Sequence, residues 1–250
     1  MEDLFKSGGL PRILVELKDY LHLDTMTVSG ETLRALIEKS KYNWKQEIIR
    51  KTDNPIFEKG SIAVLTGNLA PGSAIIKQSA ASKELLLHEG IVEVFENLED
   101  LANRIDSEEL NVTKDSILLL RNIGPIGAPG MPEAGLIPIP KKLAKIGVKD
   151  MVRISDGRMS GTASGTIVLH VCPEAAVGGT LNIVESGDVI KLDVVNRSIE
   201  LILSDEEINL RKKKKNMKEI VKRRGYNKIF HEHVLQADKG VDFDFLRPID

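Results

Sequence analysis

The 250 residues are 42% hydrophobic, 29% charged and only 4% aromatic, with a formal net charge of -2, which suits one large domain or two modest ones. An apolar fraction of this size with so little net charge excludes disorder as the main state, and no run approaches the ~20 apolar residues of a membrane span. The single cysteine, Cys172, excludes an internal disulfide and any three- or four-cysteine metal cluster built from this chain alone.

The start, MEDLFKSGGLP, is acidic and glycine-containing and is not expected to act as a secretory signal. Residues 10–39 predict two short helices. Leu10, Ile13, Leu14 and Leu17 fall at helical spacing with Pro11 in the first turn, and Leu33, Leu36 and Ile37 share a face of Glu31–Lys39, with Ser29 as its expected N-cap. Lys41–Lys59 is polar and aperiodic, so a linker is expected there, dividing the chain into 1–58 and 59–250. From Gly60 the texture turns to short, Val- and Ile-rich runs. Nine strands are expected: Ser61–Leu65, Ala74–Lys77, Ile91–Phe95, Ile117–Leu120, Met151–Ile154, Thr166–Val171, Leu181–Val184, Val189–Val195 and Ser198–Leu203. Helices are expected at Ser82–Glu89 before Gly90, at Asn97–Ile105 behind an Asn cap, and at Pro140–Ile146 before Gly147. Nine strands with few helices predict a β-rich α/β domain with a closed or nearly closed barrel. Beyond Ser204 the chain becomes basic. Arg211–Arg224 holds nine Lys or Arg against Glu219 alone, with Asp205, Glu206 and Glu207 ahead of them, the charge order of a solvated helix. Nucleic-acid binding is not expected, because only Tyr226 and Phe230 lie near the run.

No P-loop, G-x-G-x-x-G or H-E-x-x-H occurs. Glycine and proline instead concentrate in two stretches that each follow a strand. In Asn122–Glu133, the sequence NIGPIGAPGMPE, a constrained loop can hold a side chain rigidly; Glu133 is the only ionisable residue between Asn122 and Pro140. It either serves chemistry or caps the next segment. In Ser155–Thr166, SDGRMSGTASGT, small residues alternate with Ser160, Thr162, Ser164 and Thr166, and such a loop either binds an anion through its backbone N–H groups or is an ordinary turn. Arg158 either clamps a carboxylate or pairs with Asp156. Arg158, Ser160 and Gly161 form the candidate substrate-binding set. Ser160 lacks a G-x-S-x-G elbow and needs a metal or a positive dipole to act as an alkoxide. His170 and Cys172 alternate and would share a strand face, as an incomplete metal site or as barrel packing. His231 and His233 are likewise two apart, read as a half-buried or exposed pair.

The segments GSIAVLTGNLAPGSAIIKQSAAS (Gly60–Ser82), GPIGAPGMPEAG (Gly124–Gly135) and VRISDGRMSGTASGTIVLHVCPEAAVGG (Val152–Gly179) resemble the C-terminal half of the dihydroxy-acid and sugar-acid dehydratases. The resemblance runs through nearly the whole chain. MEDLFKSGGLP and DTMTVSGETL are similar to the end of that family's N-terminal domain, so Met1 matches an internal position. The tail HEHVLQADKGVDFDFL resembles the pentonate-type, sugar-acid branch. The resemblance implies a swivelling β/β/α domain with a β-barrel core, preceded by a helical remnant of the N-terminal domain. It implies removal of water from a 2,3-dihydroxy acid to give a 2-keto acid. The family's iron–sulfur cluster acts on the departing 3-hydroxyl from three cysteines of the N-terminal domain, and Mg²⁺ holds the carboxylate and 2-hydroxyl. By the same resemblance Glu133 is the one Mg²⁺ ligand of this half, Ser160 the base that takes the Cα proton, and Thr162 its neighbour. Cys172 matches no cluster ligand, and an N-terminal half in a separate chain is the expected partner, within a homo-oligomer in the cytoplasm. The alternative is a stand-alone, inactive domain that binds a sugar acid or a protein.

Overall fold

The computed structural model describes residues 1–215 and 224–247, so the later part of the basic run expected as helix lies partly outside the described residues. The chain divides into two compact units, Met1–Gly60 and Ser61–Asp250. The first carries α1 (Glu2–Lys6), α2 (Gly9–Glu16) and α3 (Leu33–Lys39). Thr32, not Ser29, caps α3: its Oγ1 accepts the Ala35 N–H at 3.3 Å. A bridge between Met26 and Thr32 turns Ser29 away into the intervening loop. No hydrophobic side chain of this unit is buried, and Phe5, Leu10, Tyr20 and Val28 stand exposed.

The second unit is built on one eight-stranded mixed sheet: β1 (Ile62–Leu65), β2 (Ser73–Lys77), β3 (Leu87–Phe95), β4 (Ile117–Leu120), β5 (Arg153–Ser155), β6 (Ile167–Cys172), β7 (Val189–Asp193) and β8 (Ser198–Leu201). Their spatial order is β1-β2-β6-β5-β4-β3-β7-β8. The four neighbours β6, β5, β4 and β3 run parallel, and every other pair is antiparallel. A parallel bridge between Thr66 and Ser198 joins the two edges, with Ile199 N–H donating to Thr66 O at 3.0 Å, so the sheet is nearly closed into the expected barrel.

Strand alternation decides what fills it. Ala63, Leu65, Ala74, Ile76, Val92, Val94, Ile117, Leu119, Ile190, Leu192, Ile199 and Leu201 form the inner core. Leu118 and Leu120 face outward, where α4 (Leu98–Arg104) and α5 (Lys141–Lys145) cover them with Leu101 and Leu143. The run Ile117–Leu120 is continuously apolar because both its faces are covered. Asn97 caps α4 as expected, its Oδ1 accepting the Asp100 N–H at 2.9 Å.

Two expected elements are different. Ser82–Glu89 is not a helix: it makes one 3₁₀ turn at Lys83–Leu85, and Leu87–Ile91 then extends β3 and pairs with β7. Pairing with a neighbouring strand overrides the helical propensity of Leu and Glu. Gly90 is a strand glycine at a close approach, since a Cβ there would lie 2.4 Å from Asp115 O. Leu181–Val184 is not a strand: Thr180–Ile183 is a 3₁₀ turn wrapped on the buried Arg121, whose Nη1 donates to Leu181 O, Asn182 O and Val184 O at 2.8–2.9 Å.

The tail begins with α6 (Asp205–Lys214), capped by the Ser204 hydroxyl, which accepts the Glu207 N–H at 3.2 Å. Its first basic residue is structural, because Arg211 donates to Glu207 and Asp188 at 2.8 and 2.7 Å. A last helix, α7 (Tyr226–His233), follows, with His231 and His233 half-buried and His233 Nδ1 2.9 Å from Asp244 Oδ1. Among the described residues no helix is long and apolar enough to cross a membrane.

Candidate active site

In α/β sheets, polar ligands gather outside the carboxyl ends of parallel strands, where connecting loops meet. Here β4 and β5 lie side by side and parallel. β4 delivers the proline-rich loop that carries Glu133, and β5 delivers the loop that carries Arg158, Ser160, Gly161 and Thr162.

Two buried carboxylates hold the roots of these loops. Asp156, 1% exposed, accepts the N–H groups of Ile123 at 3.0 Å and Asn122 at 3.1 Å from the first loop, and of Ala175 at 3.0 Å from the segment after β6. Burial raises its carboxyl to about 6, the neighbouring Glu174 adds to the rise, and the three N–H bonds oppose it. Glu174, also 1% exposed, accepts Ile126 N–H at 2.9 Å and Gly127 N–H at 2.8 Å, and Gln236 from the tail donates to it at 2.7 Å. Composition and spacing gave no sign of these two acids as loop anchors.

Arg158 does not pair with Asp156. Its Nη1 meets Glu133 Oε1 at 2.8 Å and its Nε donates to Met131 O at 2.5 Å, while its own carbonyl accepts the Gly135 N–H at 2.7 Å. The two sequence-predicted loops are thus joined through one arginine. Asp156 is unavailable to it because that carboxylate is turned inward onto backbone N–H groups. Gly135 is obligatory at this contact: a Cβ would stand 2.8 Å from Arg158 O and 2.4 Å from a Leu169 methyl. Glu133 caps no helix; its exposed carboxylate serves the ion pair.

Ser160 and Thr162 place their hydroxyl oxygens 3.0 Å apart, and Gly161 between them is exposed. The far end of the loop is fixed by Asp150, which accepts the Thr166 hydroxyl at 2.7 Å and pairs with the buried Arg153 at 2.7 Å. Burial pulls the Arg153 guanidinium below its ordinary value. Arg153 Nη1 also donates to Ile137 O at 3.0 Å, a second tie between the loops.

His170 and Cys172 do not act as a pair. One extra residue in β6 shifts its register against β2, and His170 takes φ +53° at that bulge. Its Nδ1 is buried without a hydrogen-bond partner, and burial, then the charge of Arg158, pulls the imidazole below its usual value. Cys172 is buried, its Sγ accepts the Asp238 N–H at 3.4 Å, and burial pushes the thiol up, the opposite of a metal-bound thiolate. Among the described residues no three His, Cys, Asp or Glu are grouped to hold a metal. The Glu133 carboxylate is a hard oxygen donor of the kind Mg²⁺ takes, and the lone buried thiol does not fit an iron–sulfur cluster.

A nearly closed mixed sheet whose parallel strands carry a carboxylate, a guanidinium and two hydroxyls on adjoining loops defines a β-rich α/β domain. The chain belongs to the dihydroxy-acid/6-phosphogluconate dehydratase C-terminal family, whose pattern it matches over residues 47–241. It is 45% identical to the L-arabinonate dehydratase of Rhizobium leguminosarum bv. trifolii over 99% of its length. It is 44% identical to the 6-deoxy-6-sulfo-D-gluconate dehydratase of Pseudomonas putida, again over 99%, and 38% identical to the dihydroxy-acid dehydratase of Acetivibrio thermocellus over 96%. In each case the chain spans 43% of the relative's length.

Proposed function

We propose that this chain is the C-terminal portion of a dehydratase that removes water from a 2,3-dihydroxy sugar acid to give a 2-keto acid. The observation that carries the reading is the joining of the Glu133 loop to the Ser160 loop through Arg158, which sets a hard oxygen donor against a cation on the loop that also carries a hydroxyl pair. The higher identity to the two sugar-acid dehydratases, 45% and 44% against 38%, favours an aldonic acid.

Ser160 Oγ, as the alkoxide, takes the proton from C2 while the C3 hydroxyl departs as hydroxide, and the proton then passes from the Ser160 hydroxyl to that hydroxide, which leaves as water and restores the alkoxide. The resulting enol tautomerises to the 2-keto acid. Thr162, 3.0 Å from Ser160, orients that hydroxyl, and Arg158 binds the acid's carboxylate. Glu133 would contribute one ligand to Mg²⁺, which when bound acidifies the C2 proton. The iron–sulfur cluster would come from an N-terminal half, supplied as a partner chain in a homo-oligomeric assembly, and an oxygen-sensitive cluster suits the cytoplasm. The exposed apolar side chains of Met1–Gly60 support its reading as a remnant of that half's domain.

The test is to mix the chain with the cluster-loaded N-terminal half of the R. leguminosarum enzyme and follow 2-keto acid formation from L-arabinonate. Turnover that requires both chains is expected. Two folded, associated halves without turnover would overturn the reading and leave a domain that binds without catalysing.

A further inference from the structure

We propose that Lys77 is an anion-binding residue of the Ser160 turn, placed to take the carboxylate of the acid alongside Arg158 and the hydroxyls of Ser160 and Thr162. The inference rests on the reading of the Ser160 loop as a ligand site and adds a residue to it. Lys77 ends β2. Alternation puts Ala74 and Ile76 of that strand in the core and leaves Lys77 on the other face, half-buried. Ile76 stands opposite Val168 of β6, so Lys77 lies beside the start of β6, where the loop from β5 returns. There its Nζ donates to Gly161 O at 2.7 Å, and three residues on Ala80 O receives the Gly165 N–H at 2.8 Å. The ammonium is therefore held on the peptide between Ser160 and Thr162.

Charge separates it from the other cations near this loop. Arg158 is paired with Glu133, and Arg153 with Asp150. Among the described residues Lys77 has no acidic partner within 4.0 Å, so its charge is uncompensated. An ammonium has three donors, and the Gly161 carbonyl uses one. The turn also has room, since a Cβ on Gly161 would meet nothing within 4 Å. A half-buried cation without a counter-ion, beside two hydroxyls and open space, is an arrangement an incoming carboxylate completes. The same charge lowers the cost of an alkoxide on Ser160.

The experiment titrates the ¹⁵N-labelled full chain with L-arabinonate and, as the uncharged control, L-arabinitol. Saturable shifts of the Ser160–Thr162 amides with arabinonate alone are expected, weakened about tenfold or more in Lys77→Met and restored to within about threefold in Lys77→Arg. Arabinonate should also slow acetylation of Lys77 in the unaltered chain, a readout that no folding defect of a variant can affect. Equal affinity in a folded Lys77→Met, no arabinonate-specific shift at the turn, or unslowed acetylation would each overturn the proposal. Ser160→Ala tests the reaction separately in the two-chain mixture: dehydration that survives it removes Ser160 as base and leaves the binding result standing.

Discussion

Asp156 and Glu174 are acids placed where acids are rarely found, inside the protein with no basic side chain paired to them among the described residues, and each is satisfied by N–H donors instead. Both oxygens of Asp156 accept, so an amide in its place would turn an N–H toward an N–H. Asp156→Asn should cost about 1–3 kcal/mol at neutral pH, measured by urea unfolding. The titration has a definite sign. Because the folded carboxyl is raised from 3.8 to about 6, the folded state holds the proton more tightly, and this group's contribution falls as pH rises through that window. The loss is on the order of 3 kcal/mol, and unfolding curves for Asp156→Asn should lack that slope between pH 4 and 6. For the chemistry, Ser160→Ala in the two-chain mixture should lower turnover by roughly 10²–10⁴-fold with an unchanged circular dichroism spectrum.

Among the elements, those legible in the sequence were the ones whose own pattern decides them. Ile117–Leu120 is a strand in both readings because four apolar residues between polar flanks have no better use, and Asn97 caps α4 because the cap needs only its own next turn. The segments at 82–89 and 181–184 were misread because distant partners settle them: β7 draws Leu87–Ile91 into extended pairing, and Arg121 draws three carbonyls inward. The tail illustrates the same dependence. Gln236 donates to Glu174 at 2.7 Å and accepts the Glu174 N–H at 2.9 Å, so a residue 62 positions away steadies the root of the Glu133 loop. Gln236→Ala should leave that buried carboxylate one donor short and destabilise the domain by about 1–3 kcal/mol. Faster hydrogen exchange at Ile126 and Gly127 is the local measure of it.

On the scale of the whole molecule, the nearly closed sheet gives the second unit its own core, while the first unit buries no hydrophobic side chain. The candidate site lies on the second unit: Glu133 is paired with Arg158, Ser160 with Thr162, and no three His, Cys, Asp or Glu are grouped to hold a metal among the described residues. The chain alone should therefore bind Mg²⁺ only weakly by calorimetry, with a tighter site emerging on addition of the complementary half and lost again in Glu133→Gln. Periodicity and glycine–proline punctuation by themselves determined a β-rich α/β domain with a nearly closed barrel and the two candidate loops, because these are local signals, while the family was legible through the resemblance of three long segments. Only the tertiary structure decided that Arg158 serves Glu133 and not Asp156, that Asp156 and Glu174 anchor the loops from inside, and that Lys77 reaches the Ser160 turn. Each of those contacts joins residues distant in the chain, and burial and backbone N–H geometry at such contacts exist only once the strands have brought them together.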